Sequence, residues 1–324
     1  MNTLETYLNS LPEDTLIIDI SCKGIKSLPN LTKFKNLKEL YCYNNELTSL
    51  PDLTRFKNLE ILHCYNNELT SLHDLPQNLE ELYCEHNQLT LLPTLPQKLI
   101  TLDCSNNQLT LLPTLPQNLE KLYCYSNKLT SLPTLPQNLK KIVCSYNQLT
   151  SLPTLPQNLQ ELYCHNNQLT SLPTLPKNLQ TLYCYNNQLT SLPTLPQKLI
   201  TLDCSNNQLT SLPTLPQKLQ ELYCHNNQLT SLPTLPQKLQ KLDCYDNPIS
   251  KIVNFNCLIK IKQHIQILNN FRYLYYCLKF KKHFRKWLWE KVKLPYVNKM
   301  YSPNYLIENL RNEDDLETVL DNWK

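Results

Sequence analysis

Leu159-Gln160-Glu161-Leu162-Tyr163-Cys164-His165-Asn166-Asn167-Gln168-Leu169 decides how most of this 324-residue chain folds. Leu162 and Cys164 alternate with Glu161, Tyr163 and His165, the period-two pattern of a strand with one buried face. The frame Leu-x-x-Leu-x-Cys-x-x-Asn-x-Leu returns from Leu179 to Leu189, and again around Cys204 and Cys224. Each copy is one small unit that stacks on its neighbours to bury a continuous core. Leu162 and Cys164 then point inward, and Glu161, Tyr163 and His165 point out. Asn167 turns inward after the strand, where its amide can satisfy backbone groups of adjacent rungs that water does not reach.

Working outward, Cys42, Cys64, Cys84 and every twentieth residue to Cys244 form one column, and Asn45, Asn67, Asn87 to Asn247 form another. Cys84, Cys104, Cys124, Cys164 and Cys184 are expected to be small buried hydrophobes. Asn87, Asn107, Asn127, Asn167 and Asn187 are expected to bond between rungs. The first unit is degenerate: Ile18 and Ile20 fill its strand core and Lys23 stands where Asn belongs. An end unit must shield the open stack and is therefore atypical. Early units step by 22 residues and contain Phe34 and Phe56; later ones step by 20 through Leu-Pro-Gln-Asn-Leu, as in Leu135 to Leu139. The prolines remove backbone donors and forbid a helix on the back of each unit, so an extended, polyproline-like path is expected there. Twelve rungs predict a parallel ladder about 55–60 Å long.

These motifs identify residues 15–253 as a member of the leucine-rich repeat class, with Cys in place of a usual Leu. The fold expected is a leucine-rich repeat solenoid of the right-handed β-α superhelix class. It has a parallel concave β-sheet, an extended convex side and a small α-helical C-terminal module. The Leu-Pro-x-Leu-Pro-x-x-Leu-x-x-Leu unit is similar to that of enterobacterial secreted effectors. The Cys-Tyr-Asn-Asn dialect resembles leucine-rich repeat proteins of giant amoeba-infecting viruses. So do three tail segments, Phe284 to Glu290, Tyr301 to Leu306 and Val319 to Trp323. The resemblance implies an intracellular interaction protein without assigned chemistry. Bacterial relatives often add a ubiquitin-ligase domain; the stretch after the solenoid is too short for one and shows no nucleophile motif. Four segments follow: an N-terminal helical cap over 1–14, the solenoid over 15–253, a basic aromatic helical cap over 254–300 and an acidic helical tail over 301–324.

Charge is unevenly spread along the chain. Residues 1–250 carry a net −3, residues 251–300 a net +11 and residues 301–324 a net −4, giving +4 overall. Gly24 is the single glycine, which excludes a glycine-rich phosphate loop. The 14 cysteines do not read as a disulfide framework. Neighbouring Cβ vectors in such a column run parallel, whereas a relaxed bridge wants Cβ atoms about 3.8 Å apart. A column of free thiols favours a reducing compartment, and the cytoplasm is expected. The start of the chain lacks a basic, apolar secretory pattern. Asn30-Leu31-Thr32 forms a glycosylation sequon that a reducing compartment would leave unused. No apolar run is long enough to span a membrane. No cofactor is expected.

Two outward columns carry the functional reading. Before and after the cysteines stand Tyr41, Tyr43, Tyr65, Tyr83, Tyr123, Tyr125, Tyr163, His165, Tyr183, Tyr185, Tyr223, His225 and Tyr245. Tyrosine combines large contact area, few rotors and a polar tip, which suits protein recognition. Cross-strand stacking that merely stabilises the sheet is the competing explanation. His165 and His225 lie three rungs apart, about 14 Å by strand spacing, too far to share a metal. His63, Asp103 and Asp203 are likewise too far apart for catalysis. The chain therefore reads as a non-enzyme that binds a protein partner. From Leu258 to Leu288 apolar residues step by three or four, a helical stripe expected to seal the last rung at Ile249 and Ile252. Its second half carries Lys279, Lys281, Lys282, Arg285, Lys286, Trp287 and Trp289, a basic patch that could meet nucleic acid or an anionic membrane surface. Asn312 to Asp315 read as the start of a short helix in the tail.

Overall fold

A computed structural model describes residues 3–251, 261–263 and 265–270. Twelve three-residue strands form a single sheet in chain order, every neighbouring pair parallel and in register. They run from β1 (Ile17–Asp19), β2 (Glu39–Tyr41), β3 (Ile61–His63), β4 (Glu81–Tyr83), β5 (Thr101–Asp103) and β6 (Lys121–Tyr123) through β7 (Lys141–Val143), β8 (Glu161–Tyr163), β9 (Thr181–Tyr183), β10 (Thr201–Asp203) and β11 (Glu221–Tyr223) to β12 (Lys241–Asp243). Each strand belongs to one coil of a solenoid.

The middle residue of each strand points in, and the Leu and Cys columns are almost wholly removed from solvent. Cys42 to Cys244 are all free and buried, and Cys22 is the exposed exception among the described thiols. Burial pushes the thiols of Cys42 and Cys144 up to about 12 and raises Cys84, Cys124, Cys164 and Cys184. They are packing groups, since only a thiolate reacts readily.

The inner Asn column works as a clasp. Asn127 Nδ2 donates to the carbonyls of Cys104 (3.0 Å), Cys124 (3.2 Å) and Tyr125 (3.3 Å), while its Oδ1 accepts from the Leu109 amide at 2.9 Å. Asn107 and Asn87 repeat the pattern one and two rungs earlier. Asn167 and Asn187 do so while only half-buried. At the degenerate first rung, Asn45 Oδ1 takes the amides of both Lys23 and Ile25.

The back of each coil is extended, as the prolines require. In the 20-residue coils the Pro carbonyl accepts from the Leu three residues on, as in Leu139 N to Pro136 O at 3.3 Å, which closes a tight turn. An outer amide ladder joins these turns: Asn118 to the Gln97 carbonyl, Asn138 to Gln117 and Asn158 to Gln137, each at 3.0 Å. In the early coils Phe34 and Phe56 are buried in the core.

Two compact units divide the chain, Met1–Ile265 and Gln266–Lys324. In the first, α1 (Thr3–Ser10) lays Leu4 and Leu8 on the open end of the stack. At the other end Ile249, Ile261 and Ile265 are buried, and Lys262 Nζ donates to the carbonyls of Gln237 (2.9 Å) and Leu239 (3.1 Å). Ile249, Ile261 and Ile265 belong to the buried core cluster, and Ile252 and Leu258 lie outside the described residues. In the second unit residues 266–270 are helical, and Leu268 of the apolar stripe is 37% exposed rather than buried. The basic patch from Lys279 to Trp289 and the acidic tail also lie outside the described residues.

Candidate functional site

Three outward columns make up the strand face: the first and last residue of each strand and the residue after each Cys. In-register pairing sets like positions side by side, so rings on adjacent rungs must meet. Tyr43 and Tyr65 stack at 4.6 Å with planes 5° apart. Tyr163 and Tyr183 stack at 5.1 Å, His165 and Tyr185 at 4.2 Å, and His225 and Tyr245 at 4.6 Å. His63 lies edge-on to Tyr41 at 4.9 Å and tilted on Tyr83 at 4.4 Å.

The columns are not continuous. Asp103, Val143 and Asp203 break the first, and Glu85, Ser105, Ser145 and Ser205 break the second. The aromatic face divides into islands: Tyr41, Tyr43, His63, Tyr65 and Tyr83; then Tyr123 and Tyr125; then the four rings around Tyr163; then Tyr223, His225 and Tyr245. Nearly all are half-buried, with Tyr245 49% exposed. Tyr146, which the two columns omit, is 53% exposed and meets the edge of His165 at 5.4 Å.

Carboxylates on the same rung pin several phenols. Tyr41 Oη donates to Glu39 at 2.6 Å, Tyr163 to Glu161 at 3.1 Å and Tyr223 to Glu221 at 3.4 Å. The Glu39 hydrogen bond, aided by burial, pushes the Tyr41 hydroxyl up to about 12. Burial is the first cause of the same shift at Tyr83 and Tyr163. Burial also pulls the His165 imidazole down to about 4 and lowers His63. These rings are neutral near pH 7.

Glu85 is a group the sequence reading did not single out. Its carboxyl rises to about 7, first through burial and then through the charge of Asp103. One Glu85 oxygen is buried without a hydrogen-bond partner. Asp103 is raised by its own burial, partly offset by the amide of Ser105 at 3.0 Å. Tyr83 is paired with His63 on one side and Asp103 on the other, so His63 and Asp103 stand apart. Among the described residues no three His, Cys, Asp or Glu side chains gather where one metal ion could bind them.

Family models for leucine-rich repeats match residues 35–77, 98–119 and, in overlapping windows, 137–237. The chain belongs to the leucine-rich repeat family. Among solved structures it is similar to YopM from Yersinia enterocolitica WA-314, with 38% identity over 74% of this chain and a TM-score of 0.70. The match spans 57% of that protein's length. The functional domain of InlJ from Listeria monocytogenes, described as including a cysteine ladder, matches at 28% identity over 72% of this chain and 54% of its own, TM-score 0.64. The plant peptide hormone receptor RGFR1, seen in complex with RGF2, matches at 25% identity over 67% of this chain and 40% of its own, TM-score 0.55. No curated protein matches the chain. Leucine-rich repeat proteins bind protein partners and are typically non-enzymatic. Among the described residues no helix is long and apolar enough to cross a membrane.

Proposed function

We propose that this solenoid is a non-catalytic scaffold that binds a protein partner through its Tyr-rich strand face. The observation that carries the reading is the set of ordered aromatic islands on a sheet face that no other described element covers. Stacking fixes each ring before a partner arrives, so little rotamer entropy is left to lose on binding. RGFR1, with its bound RGF2, supplies a precedent for ligand binding by a repeat array of this kind. Stacking also stabilises the sheet, and one ring can serve both ends.

The buried free thiols support a reducing compartment, the cytoplasm, as the working location. The quoted dialect and tail residues support a viral source and a host-cell setting.

The test compares proximity labelling by the full chain with that by Tyr163→Ser/Tyr183→Ser and by a back-side control, Gln137→Ser/Gln157→Ser. Partners should vanish only in the strand-face variant. Partners that survive it, and instead vanish on raising salt or on Lys281→Gln/Lys282→Gln, would move function to the basic segment, since phosphate binding weakens steeply with added salt.

A further inference from the structure

Charge on the strand face, and at the residue just before each strand, is segregated. From the sixth rung onward, three of the acids at these positions are each met by a lysine of a neighbouring rung: Glu120 by Lys140 at 2.7 Å, Glu161 by Lys141 at 2.8 Å and Glu221 by Lys241 at 2.7 Å. Over the first five rungs the one lysine at these positions, Lys38, is taken by Glu60 at 2.9 Å. Asp19, Glu39, Glu80, Glu81, Glu85 and Asp103 make no ion pair among the described residues.

Lys141 shows what this surface does with an ammonium. Its Nζ lies 5.7 Å from the Tyr123 ring centroid and 5.3 Å from that of Tyr163, with Glu161 Oε2 at 2.8 Å. Cation–π attraction to two rings and one carboxylate hold it. Two rungs earlier Thr101, itself buried, occupies the position of Lys141, with Tyr83 and Tyr123 flanking it on the neighbouring strands. The carboxylate there, Glu81, lies on the preceding strand, and Lys121 stands on the following one where Glu161 stands beside Lys141. Asp103 and Glu85 lie close by, near enough to act on the Tyr83 hydroxyl. Thr101 brings no charge to this frame, and Lys121 is the nearest strand-face cation in sequence and register.

We propose that the strand face from β2 to β6 docks a lysine- or arginine-rich segment of a protein partner, with one cationic side chain seated between Tyr83 and Tyr123 against Glu81, Glu85 and Asp103. The inference rests on the protein-binding reading above and names the partner's chemistry and place. Unpaired like charges so close together cost stability, and a cation relieves that cost on binding. Nucleic acid phosphates would be repelled by the same surface.

The test is fluorescence anisotropy of the full chain with a labelled alternating Lys-Ser peptide, against a Glu-Ser peptide of equal length. Binding of the basic peptide alone is expected. Glu81→Gln/Asp103→Asn should weaken it at least tenfold, while Glu46→Gln/Glu68→Gln, exposed and off the strand face, should change it less than twofold. Thr101→Lys, which supplies the ammonium from within, should also weaken it at least tenfold and keeps the proposal testable if the double variant fails to fold. Equal losses in both carboxylate pairs, or no effect of Thr101→Lys, would overturn it. If partners captured in cells depend on Tyr163 and Tyr183 but not on Glu81 and Asp103, the cationic dock is wrong while the Tyr-face reading stands. If they depend on neither, both fail.

Discussion

Replacing Asn127 with Ala removes one clasp from the middle of the ladder, and the hydrogen bonds say what each neighbour loses. The Cys104 carbonyl keeps the amide of Asn107 at 3.1 Å, and the Cys124 carbonyl keeps that of Asn147 at 3.0 Å. The Tyr125 carbonyl keeps the Asn106 backbone amide at 2.9 Å. All three acceptors therefore stay bonded. The Leu109 amide does not: Asn127 Oδ1 is its acceptor, and it is buried. One orphaned buried donor costs about 1–3 kcal/mol. Loss of the shared bonds adds less, so about 2 kcal/mol is expected. Repeat arrays can melt in parts, so the sharper assay is hydrogen exchange at the Leu109 amide in the full chain. Protection there should fall roughly 30-fold if the local opening free energy drops by about 2 kcal/mol. Asn247→Ala should cost its own rung more, because among the described residues the Cys244 carbonyl has only Asn247 as side-chain donor, and the Leu229 amide is orphaned as well. A fall in Leu109 protection of less than twofold for Asn127→Ala would refute the reasoning, since some other group would then satisfy that amide.

Three further outcomes follow from the same geometry. Alkylation of the native protein, mapped by peptide mass spectrometry, should modify Cys22 early and leave Cys42 to Cys244 untouched until denaturant is added; early labelling of Cys104 or Cys164 would contradict the buried column. Glu85, raised to about 7, binds its proton more tightly in the folded than in the unfolded chain, so folding loses stability as pH rises from about 4.5 through 7. Glu85→Gln should thus stabilise at pH 8 by up to about 1 kcal/mol, discounted for the part of the carboxyl still in water, and leave stability at pH 4 unchanged in urea titrations; an equal gain at both pH values would show that charge is not the cause. Ser126 sits at φ 53°, a left-handed conformation that Asn tolerates better, so Ser126→Asn should add about 0.5–1 kcal/mol and Ser126→Val should cost about 1–2 kcal/mol in the same titrations; a Val variant as stable as the wild type would remove backbone strain from the account.

The ladder was legible because copying repeats the signal: eleven Cys and eleven Asn in one frame, at steps of 22 and then 20, share one environment. The prolines likewise ruled out helices on the back. Features set by a backbone conformation were harder to see. The residue two after the inward Cys, or after Ile20 in the first coil, has positive φ in every coil, from Cys22 (56°) through Asn44 (53°) to Asp246 (48°). Asn fills seven of those twelve places, a signal present in Cys-x-Asn-Asn but credited to the second Asn alone. Its surface amides even bond each other, Asn66 to Asn44 and Asn186 to Asn166, both at 2.8 Å. The outer ladder through Asn118 and Asn138 was missed because an exposed Asn in a turn has many ordinary uses. Leu268, 37% exposed, misled because an apolar period alone does not say which of its residues are buried.

The site was the least legible part, and two identical stretches show why. Leu99 to Thr110 and Leu199 to Thr210 have the same sequence and the same coil geometry. Yet Asp103 faces Glu85 across one rung step, whereas the residue matching Glu85 beside Asp203 is Tyr185. The first stretch thus sits in a crowded set of acids and the second beside a stacked His165–Tyr185 pair. On a ladder of this kind a rung's chemistry belongs to its neighbours as much as to itself, because side chains on adjacent strands lie closer than those on the same face of one strand. A surface motif here is therefore two-dimensional, read across rungs at steps of 20 and along each strand at steps of two. Exchanging Glu85 and Tyr185 in one double variant, Glu85→Tyr/Tyr185→Glu, tests that logic directly. Composition, fold and net charge stay constant, while the acidic cluster is split. Binding of the basic peptide to the face from β2 to β6 should fall, and the elevated carboxyl should reappear beside Asp203 in a carbon-detected pH titration. Unchanged peptide binding would mean that single rungs, rather than their juxtaposition, carry the recognition.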